Sequence, residues 1–287
     1  MLGLLLVWAA VVAEPEVACT RSKLLCSTSV HWETRQIPYR VRVPSSNALS
    51  EELLLSSITK ATATWEAVAC SDLRFPQDAL KRSAEGSEEI TELVPLTSAE
   101  WSAAKHAGNA LAITHVFYHP LRGTIRRGLI ELNAELPFKA VEAECTADYD
   151  LEATLTHEVG HLIGLAHPCE YPDDAPPEGA RTCPVADCNA IRASYGTDER
   201  LPTMWPREAT CDTTFRSLEA DDVTAVCFVY PKQGSTRQCD TLPESEVYVT
   251  SVPFGCSASG VGDDKRPWPW AALFGLGWLW RRRRTAR

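Results

Sequence analysis

The sequence lacks the features of several large protein classes. No apolar run approaches the roughly 20 residues of a membrane-spanning helix, and none of the 11 cysteines forms the Cys-x2-Cys pair common in zinc clusters. Basic residues are also few, with 28 Lys+Arg against 38 Asp+Glu. This acidic balance argues against nucleic acid as a partner, because phosphate would be repelled. With 45% hydrophobic residues, the 287-residue chain has the composition of a globular protein.

The cysteines favour an oxidising compartment. Their density and irregular spacing fit disulfides, and ten of them can form five bridges. We expect Cys256 to be the unpaired one because its surroundings differ, and Cys19 with Cys26 would close a plausible short loop. Buried free thiols are the alternative interpretation.

Residues 1–13 are predicted to be a signal peptide. Residues 2–13 are apolar and end in small residues before Glu14, as secretory signals do. No Lys or Arg precedes the apolar run, so a buried N-terminal helix is the alternative. A lipoprotein cut at Cys19 is disfavoured, because Glu16 stands where an apolar residue is expected. Residues 14–36 then form an N-terminal Cys-containing segment.

Alternating apolar and polar residues predict strands. Residues 37–43 read as a half-buried strand, and residues 111–119 and 124–133 as two strands joined by a tight turn. Residues 81–92 are polar and loop-like. Residues 169–206, rich in Pro, Asp and Cys, predict a long loop pinned by disulfides.

Helical periodicity indicates three helices. The first, residues 45–69, has Ser50 as its N-cap and an apolar stripe on one face. The second, residues 149–163, is capped by Asp148 or Asp150. The third covers residues 218–229, with acidic residues in its first turns, where the helix dipole favours them.

The strongest functional signal lies on the second helix. His157 and His161 are one turn apart, so both imidazoles can reach one ion, and Glu158 lies beside them to hold a water on that ion. Gly164 lets the chain leave the helix, which can bring His167 round as a third ligand. Three neutral imidazoles leave a fourth position open, as in a catalytic zinc site. Glu158 would then accept a proton from the water that attacks a carbonyl.

This pattern resembles the metzincin metalloprotease signature. Met204 lies in Pro-Thr-Met-Trp-Pro and is similar to the methionine turn of the matrixin branch. The resemblance extends to residues 130–133 and 218–231 and covers about residues 37–231. It implies a catalytic domain of the α+β class. In this fold a twisted mixed sheet packs on the active-site helix, with a long disulfide-pinned loop and a C-terminal helix.

The same resemblance implies how a substrate would bind. Trp205 and Pro206 would form the wall of the pocket for the substrate residue just past the cut. Metzincin-like clefts hold the substrate as an extra strand beside the sheet edge, here residues 111–119. The chain would therefore cut polypeptides internally.

Two features depart from matrixins. The stretch between His167 and Met204 is long, and we interpret it as an insertion on the primed side of the cleft, pinned by its cysteines. Within it, Asp173 and Asp174 could hold Ca²⁺, although a solvated loop is the favoured interpretation. Four further histidines do not match the family's structural zinc site and are expected to be surface or strand residues: His31, His106, His115 and His119.

The C-terminal part predicts display at the cell surface. After a linker over residues 232–255, residues 256–287 combine Cys256, an apolar run over residues 268–280 and an Arg cluster. This order resembles the MYXO-CTERM type of sorting signal of bacterial surface proteins, which a processing protease recognises. A permanent weak membrane anchor through residues 268–280, or a disordered tail, is the alternative.

The sequence therefore predicts a zinc-dependent metalloendopeptidase that acts on proteins or peptides. It would be exported and then anchored at the surface or outer membrane, or secreted after tail processing. The alternatives are a catalytically inactive surface-binding or adhesion module on the same fold, and a zinc hydrolase acting on a non-peptide substrate.

Overall fold

The computed structural model describes residues 30–45, 48–76, 91–119, 123–142, 144–171, 186–192, 200–232 and 250–258. Several expectations fall on other residues and lie outside this part of the chain. They are the signal peptide, the Cys19–Cys26 loop, the turn over residues 120–122, the Asp173–Asp174 pair, Cys183 and the tail beyond residue 258.

One mixed sheet of six strands organises the molecule. Its strand order is β1-β2-β4-β3-β10-β9, with β3 antiparallel to both of its neighbours and the other pairs parallel. The strands of this sheet are β1 (Tyr39–Val41), β2 (Thr91–Leu96), β3 (Ala110–Tyr118), β4 (Ile125–Asn133), β9 (Arg207–Glu208) and β10 (Thr250–Ala258). Two short parallel pairs lie outside it, β5 (Phe138–Lys139) with β6 (Tyr149–Asp150) and β7 (Cys169–Glu170) with β8 (Ala186–Asp187).

Five helices are described beside the sheet. They are α1 (Glu51–Glu66), α2 (Ser98–Ala103), α3 (Leu151–Leu162), α4 (Cys188–Arg192) and α5 (Ala220–Val229). The N-cap prediction for α1 is confirmed, because the Ser50 side chain accepts a hydrogen bond from the Leu53 amide. The apolar stripe of α1 is buried and packs against α3, with the Trp65 indole donating to the Thr156 carbonyl at 2.8 Å. The α+β class is thus confirmed.

Strand β2 corrects the sequence interpretation. The polar loop predicted over residues 81–92 ends in Thr91 and Glu92, and both belong to β2. This strand lies between β1 and β4 and is buried along most of its length. A strand covered on both faces shows no alternation, so periodicity could not reveal it.

Strand β10 is the larger difference. Residues 250–258, which the sequence analysis divided between a linker and a tail, add to the sheet beside β3. Local sequence gives no signal for this, because main-chain pairing with β3 requires no particular side chains. With β10 in place, β3 is not an edge of the sheet.

Among the described residues, three disulfides join segments that are apart in sequence. Cys70–Cys227 links the segment after α1 to α5, Cys145–Cys211 links the segment before α3 to the segment after β9, and Cys169–Cys188 pins the predicted long loop. The prediction of a disulfide-rich domain is confirmed for these six cysteines. Within the described residues, no helix is long and apolar enough to cross a membrane.

Candidate metal centre

Helix α3 is fixed at its first turn by a buried acid. Asp150, with no solvent exposure, accepts the Ala153 amide at 2.8 Å and so caps the helix. Arg216 donates to the same carboxylate through Nε at 2.8 Å, which compensates its buried charge. The cap was one of the two predicted, and the Arg216 partner was not foreseen.

The three predicted histidine ligands converge at one point. Nε2 of His167 lies 3.2 Å from Nε2 of His157 and 3.0 Å from Nε2 of His161. A tetrahedral zinc with Zn–N bonds of about 2.0–2.1 Å places its nitrogen ligands about 3.3 Å apart. Imidazole nitrogens that present their lone pairs to one another at such distances repel unless a cation lies between them. The donor set and its spacing therefore fit Zn²⁺.

Backbone carbonyls orient two of these rings, His157 and His161, as metal ligands. Nδ1 of His157 lies 2.6 Å from the Thr203 carbonyl, and Nδ1 of His161 lies 2.8 Å from the Leu165 carbonyl. Because a carbonyl only accepts, each Nδ1 carries the proton and each Nε2 presents its lone pair to the common point. Burial lowers the pKa of His157 to about 4 and that of His161 well below its usual value. Both rings are therefore neutral near pH 7.

Gly164 turns the chain so that His167 can return. Its φ is +91°, a conformation that L side chains resist. A Cβ at this position would lie 2.1 Å from the Val30 carbonyl oxygen. Only glycine fits both the backbone conformation and the space.

A tight turn around Met204 lies beneath the centre. The Trp205 amide bonds the Pro202 carbonyl at 3.0 Å, and Met204 is buried against Gly160, where a Cβ would lie 2.2 Å from its Sδ. The preceding residue, Thr203, offers the carbonyl that orients His157. The resemblance to a methionine turn was centred on Met204, whereas the residue that contacts His157 is the one before it.

Asp222 holds this turn, which sequence reasoning missed. Its carboxylate accepts the Thr203 amide at 2.8 Å and the Met204 amide at 3.2 Å. Burial raises the pKa of Asp222 to about 6, although these amides act to lower it. The sequence analysis accounted for Asp222 only by its favourable position at the start of α5. Nothing in the local sequence indicates a contact with the turn at Met204.

Glu158 is fully buried beside the histidines. The hydroxyl of Thr114 on β3 donates to its Oε2 at 2.5 Å. This contact joins the centre of α3 to the middle of the strand that was predicted to hold substrate. Thr114 was not predicted, because nothing in a strand pattern distinguishes one inward residue from another.

The sequence of this chain is similar to known metallopeptidases. Residues 31–173 match the family model described as Matrixin. The matrixin match includes the three histidines and Glu158 and stops before Met204. A second similarity is to Metallopeptidase AprA of Pseudomonas marginalis, 35% identical over 99 residues. That alignment covers 31% of this chain and 19% of the relative, so it spans about a fifth of the relative's length. Together these similarities support a metalloprotease.

The residues predicted to form the substrate pocket lie beyond the matrixin match. Trp205 is 1% exposed and packs with Ala153, Phe215 and the Cys169–Cys188 bridge. Its indole lies 3.2 Å from the Tyr171 hydroxyl. The Trp205 ring therefore belongs to a small second core, and Pro206 beside it is also buried. The wall prediction for both stays a prediction.

The remaining histidines were expected to be surface or strand residues, and His115 lies on strand β3 as expected. His31 and His119 are buried, at 1% and 3% exposure. His106 and His115 both contact Glu131, with Nε2 to Oε2 distances of 2.8 and 3.0 Å. Burial acts to raise the pKa of Glu131, but the two histidines outweigh it and the pKa is lowered. These three side chains could hold a cation. Their spacing along the chain does not group them.

Proposed function

We propose that this chain is a zinc-dependent metalloendopeptidase that hydrolyses internal peptide bonds of protein substrates. The observation that carries the proposal is the convergence of three imidazole nitrogens, two of them on rings that are neutral near pH 7, with a buried glutamate adjacent to them. His157, His161 and His167 would hold Zn²⁺ and leave a coordination position open. When bound, Zn²⁺ polarises the scissile carbonyl and acidifies water.

Glu158 supplies the general base. The hydrogen bond from Thr114 to Oε2 orients the carboxylate. Glu158 would take a proton from the attacking water and later deliver it to the amine of the leaving product. Burial of the carboxylate excludes bulk solvent and strengthens its interactions with the reacting groups.

The surrounding backbone favours an extended polypeptide as the substrate. Both β3 and β9 contact α3, the helix that carries two of the histidines, because Thr114 on β3 donates to Glu158 and Thr154 on α3 donates to Glu208 on β9. Main-chain groups of both strands pair with an extended segment, β10. A peptide that pairs with them would cross Glu158 in the middle of its length, which favours internal cleavage over trimming from an end.

We extend the proposal to location. Three disulfides support folding in an oxidising compartment, and hence export. Surface display through residues 256–287, with processing by a sorting protease, stays part of the proposal and rests on the sequence pattern of the tail.

The function is tested with the full chain and two matched glutamine substitutions on α3. Glu158→Gln should keep one zinc per chain, measured by elemental analysis, and lower cleavage of an unfolded protein by about 10²–10⁴-fold. The control Glu152→Gln removes an acid from the same helix that pairs with Lys60 and should keep full activity. A chelator should abolish the activity of both the wild type and this control.

Mass spectrometry of the products should report internal cuts. Equal cleavage by wild type and Glu158→Gln would refute the general-base role. A chain that retains no zinc after exposure to it would refute the metal centre.

A further inference from the structure

Strand β10 occupies the gap between the two strands that flank the metal centre. On one side it runs antiparallel to β3, with Phe254 opposite Thr114 and Cys256 opposite Ala112. On the other side it runs parallel to β9, with Ser257 opposite Arg207. The sheet order β3-β10-β9 therefore places this segment between the two strands.

The register places its central residues over the catalytic side chains. Thr114, which donates to Glu158, pairs with Phe254. Arg207, which follows the turn at Met204, pairs with Ser257. The backbone from residue 254 to residue 257 thus passes from the Glu158 side of the centre to the methionine-turn side. Strand β10 also contacts α3 itself.

We propose that residues 250–258 are a tethered occupant of the substrate position and block the cleft against other polypeptides. The predicted inhibition of cleavage rests on the proposed function. The position of the segment between β3 and β9 rests on the strand pairing alone. The occupant is the chain's own segment, bound as an extended strand through main-chain hydrogen bonds. Any substrate strand that pairs with both β3 and β9 must displace it.

Tethering makes the block effective without high intrinsic affinity. Residues 233–249 connect the segment to the end of the catalytic domain, and such a connection gives an effective concentration on the order of millimolar. If the connection is cut, a segment free at micromolar concentration is about 10³-fold more dilute. If residues 250–258 are only an occupant of the substrate position, they dissociate after the cut. If they are an integral strand of the sheet, they stay bound.

The first experiment therefore cuts the tether. A recognition sequence for a site-specific protease is inserted between residues 240 and 241 of the full chain, and cleavage of a fluorogenic peptide is measured before and after cutting. We expect kcat/KM to rise at least tenfold after cutting, through a lower KM with kcat unchanged, as for removal of a competitor. The same protease applied to the chain without the insertion should change nothing.

A single substitution tests the pairing without cutting. Pro253 has no amide hydrogen, so a strand that accommodates it directs this nitrogen away from β3. Because amide groups alternate along a strand, Val252 directs its own amide toward β3. Val252→Pro removes that donor and should raise kcat/KM of the full chain. The control Val252→Ala keeps the donor and should behave as the wild type.

Hydrogen exchange separates this proposal from the proposed function, because it requires no activity. In the Glu158→Gln chain carrying the insertion, the β3 amides that face β10 should exchange at least tenfold faster after the tether is cut and the freed fragment is removed. They are the amides of Ala112, Thr114 and Val116. Faster exchange in this variant, together with no peptidase activity of the cut chain that retains Glu158, would support the occupant and count against the protease. Unchanged exchange and unchanged kcat/KM after cutting would overturn the occupant and make β10 a permanent strand.

Discussion

Replacement of Gly164 by alanine tests how the third ligand is positioned. The φ of +91° places this residue where an L side chain costs roughly 1–2 kcal/mol. The new Cβ would also lie 2.1 Å from the Val30 carbonyl oxygen. A backbone atom cannot move aside by changing rotamer, and overpacking of this kind costs about 1–3 kcal/mol.

The expected loss of unfolding free energy for Gly164→Ala is therefore about 2–5 kcal/mol, a large part of the roughly 5–15 kcal/mol of a typical domain. It should be measured by denaturant unfolding of the metal-free chain under oxidising conditions. Zinc retention should fall as well, because His167 follows the displaced turn.

Two further variants isolate the cause. Gly108→Ala is the matched control, because a Cβ there meets no atom within 4 Å, and its unfolding free energy should stay within about 0.5 kcal/mol of wild type. Gly164→Asn tolerates the left-handed backbone but keeps the collision with Val30. If Gly164→Ala matched the wild type in both stability and zinc content, the steric reasoning would be wrong.

Two other predictions follow from buried contacts. Asp222 has a pKa of about 6 when folded against 3.8 for the free side chain, so its contribution to stability is complete below pH 3.8 and is lost as pH rises through 6. Relative to Asp222→Asn, the wild type should therefore lose up to about 3 kcal/mol between pH 4 and 7 in urea unfolding; parallel pH curves would contradict this. Removing the Cys70–Cys227 bridge, with a sequence separation of 157, should cost about 5 kcal/mol in the chain-entropy view, whereas removing Cys169–Cys188, separated by 19, should cost about 3. An equal loss for both pairs would show that loop length does not govern their effect.

Local signals in the sequence were sufficient for α1, α3, α5 and the metal-binding segment, but not for the short helices α2 and α4. Ser50 and Asp150 cap helices within a few residues of themselves, and the spacing of His157 and His161 places both on one face whatever packs against them. Gly164 is also a local requirement, since the chain must reverse within a few residues to return His167. These features depend on residues that are close together in the sequence, so the sequence is sufficient to predict them.

Contacts between distant segments were not accessible in this way. Thr114 meets Glu158 only because β3 packs over α3, and Asp222 reaches the turn at Met204 only because α5 folds back beneath it. Strand β2 shows no alternation because it is buried along most of its length. In each case the residue type does not indicate its partner, because the contact depends on how the whole domain packs.

The sequence by itself determined the chemistry of this protein: three imidazoles, one carboxylate and the glycine that brings them together, all within one helix and its exit. The tertiary structure alone decided what surrounds that chemistry. It brought Thr203 to His157 and Thr114 to Glu158, and it placed residues 250–258 across the cleft. The physical reason is that helix geometry acts over single turns, whereas strand pairing and buried hydrogen bonds join backbone groups that carry no mark of their partners in sequence.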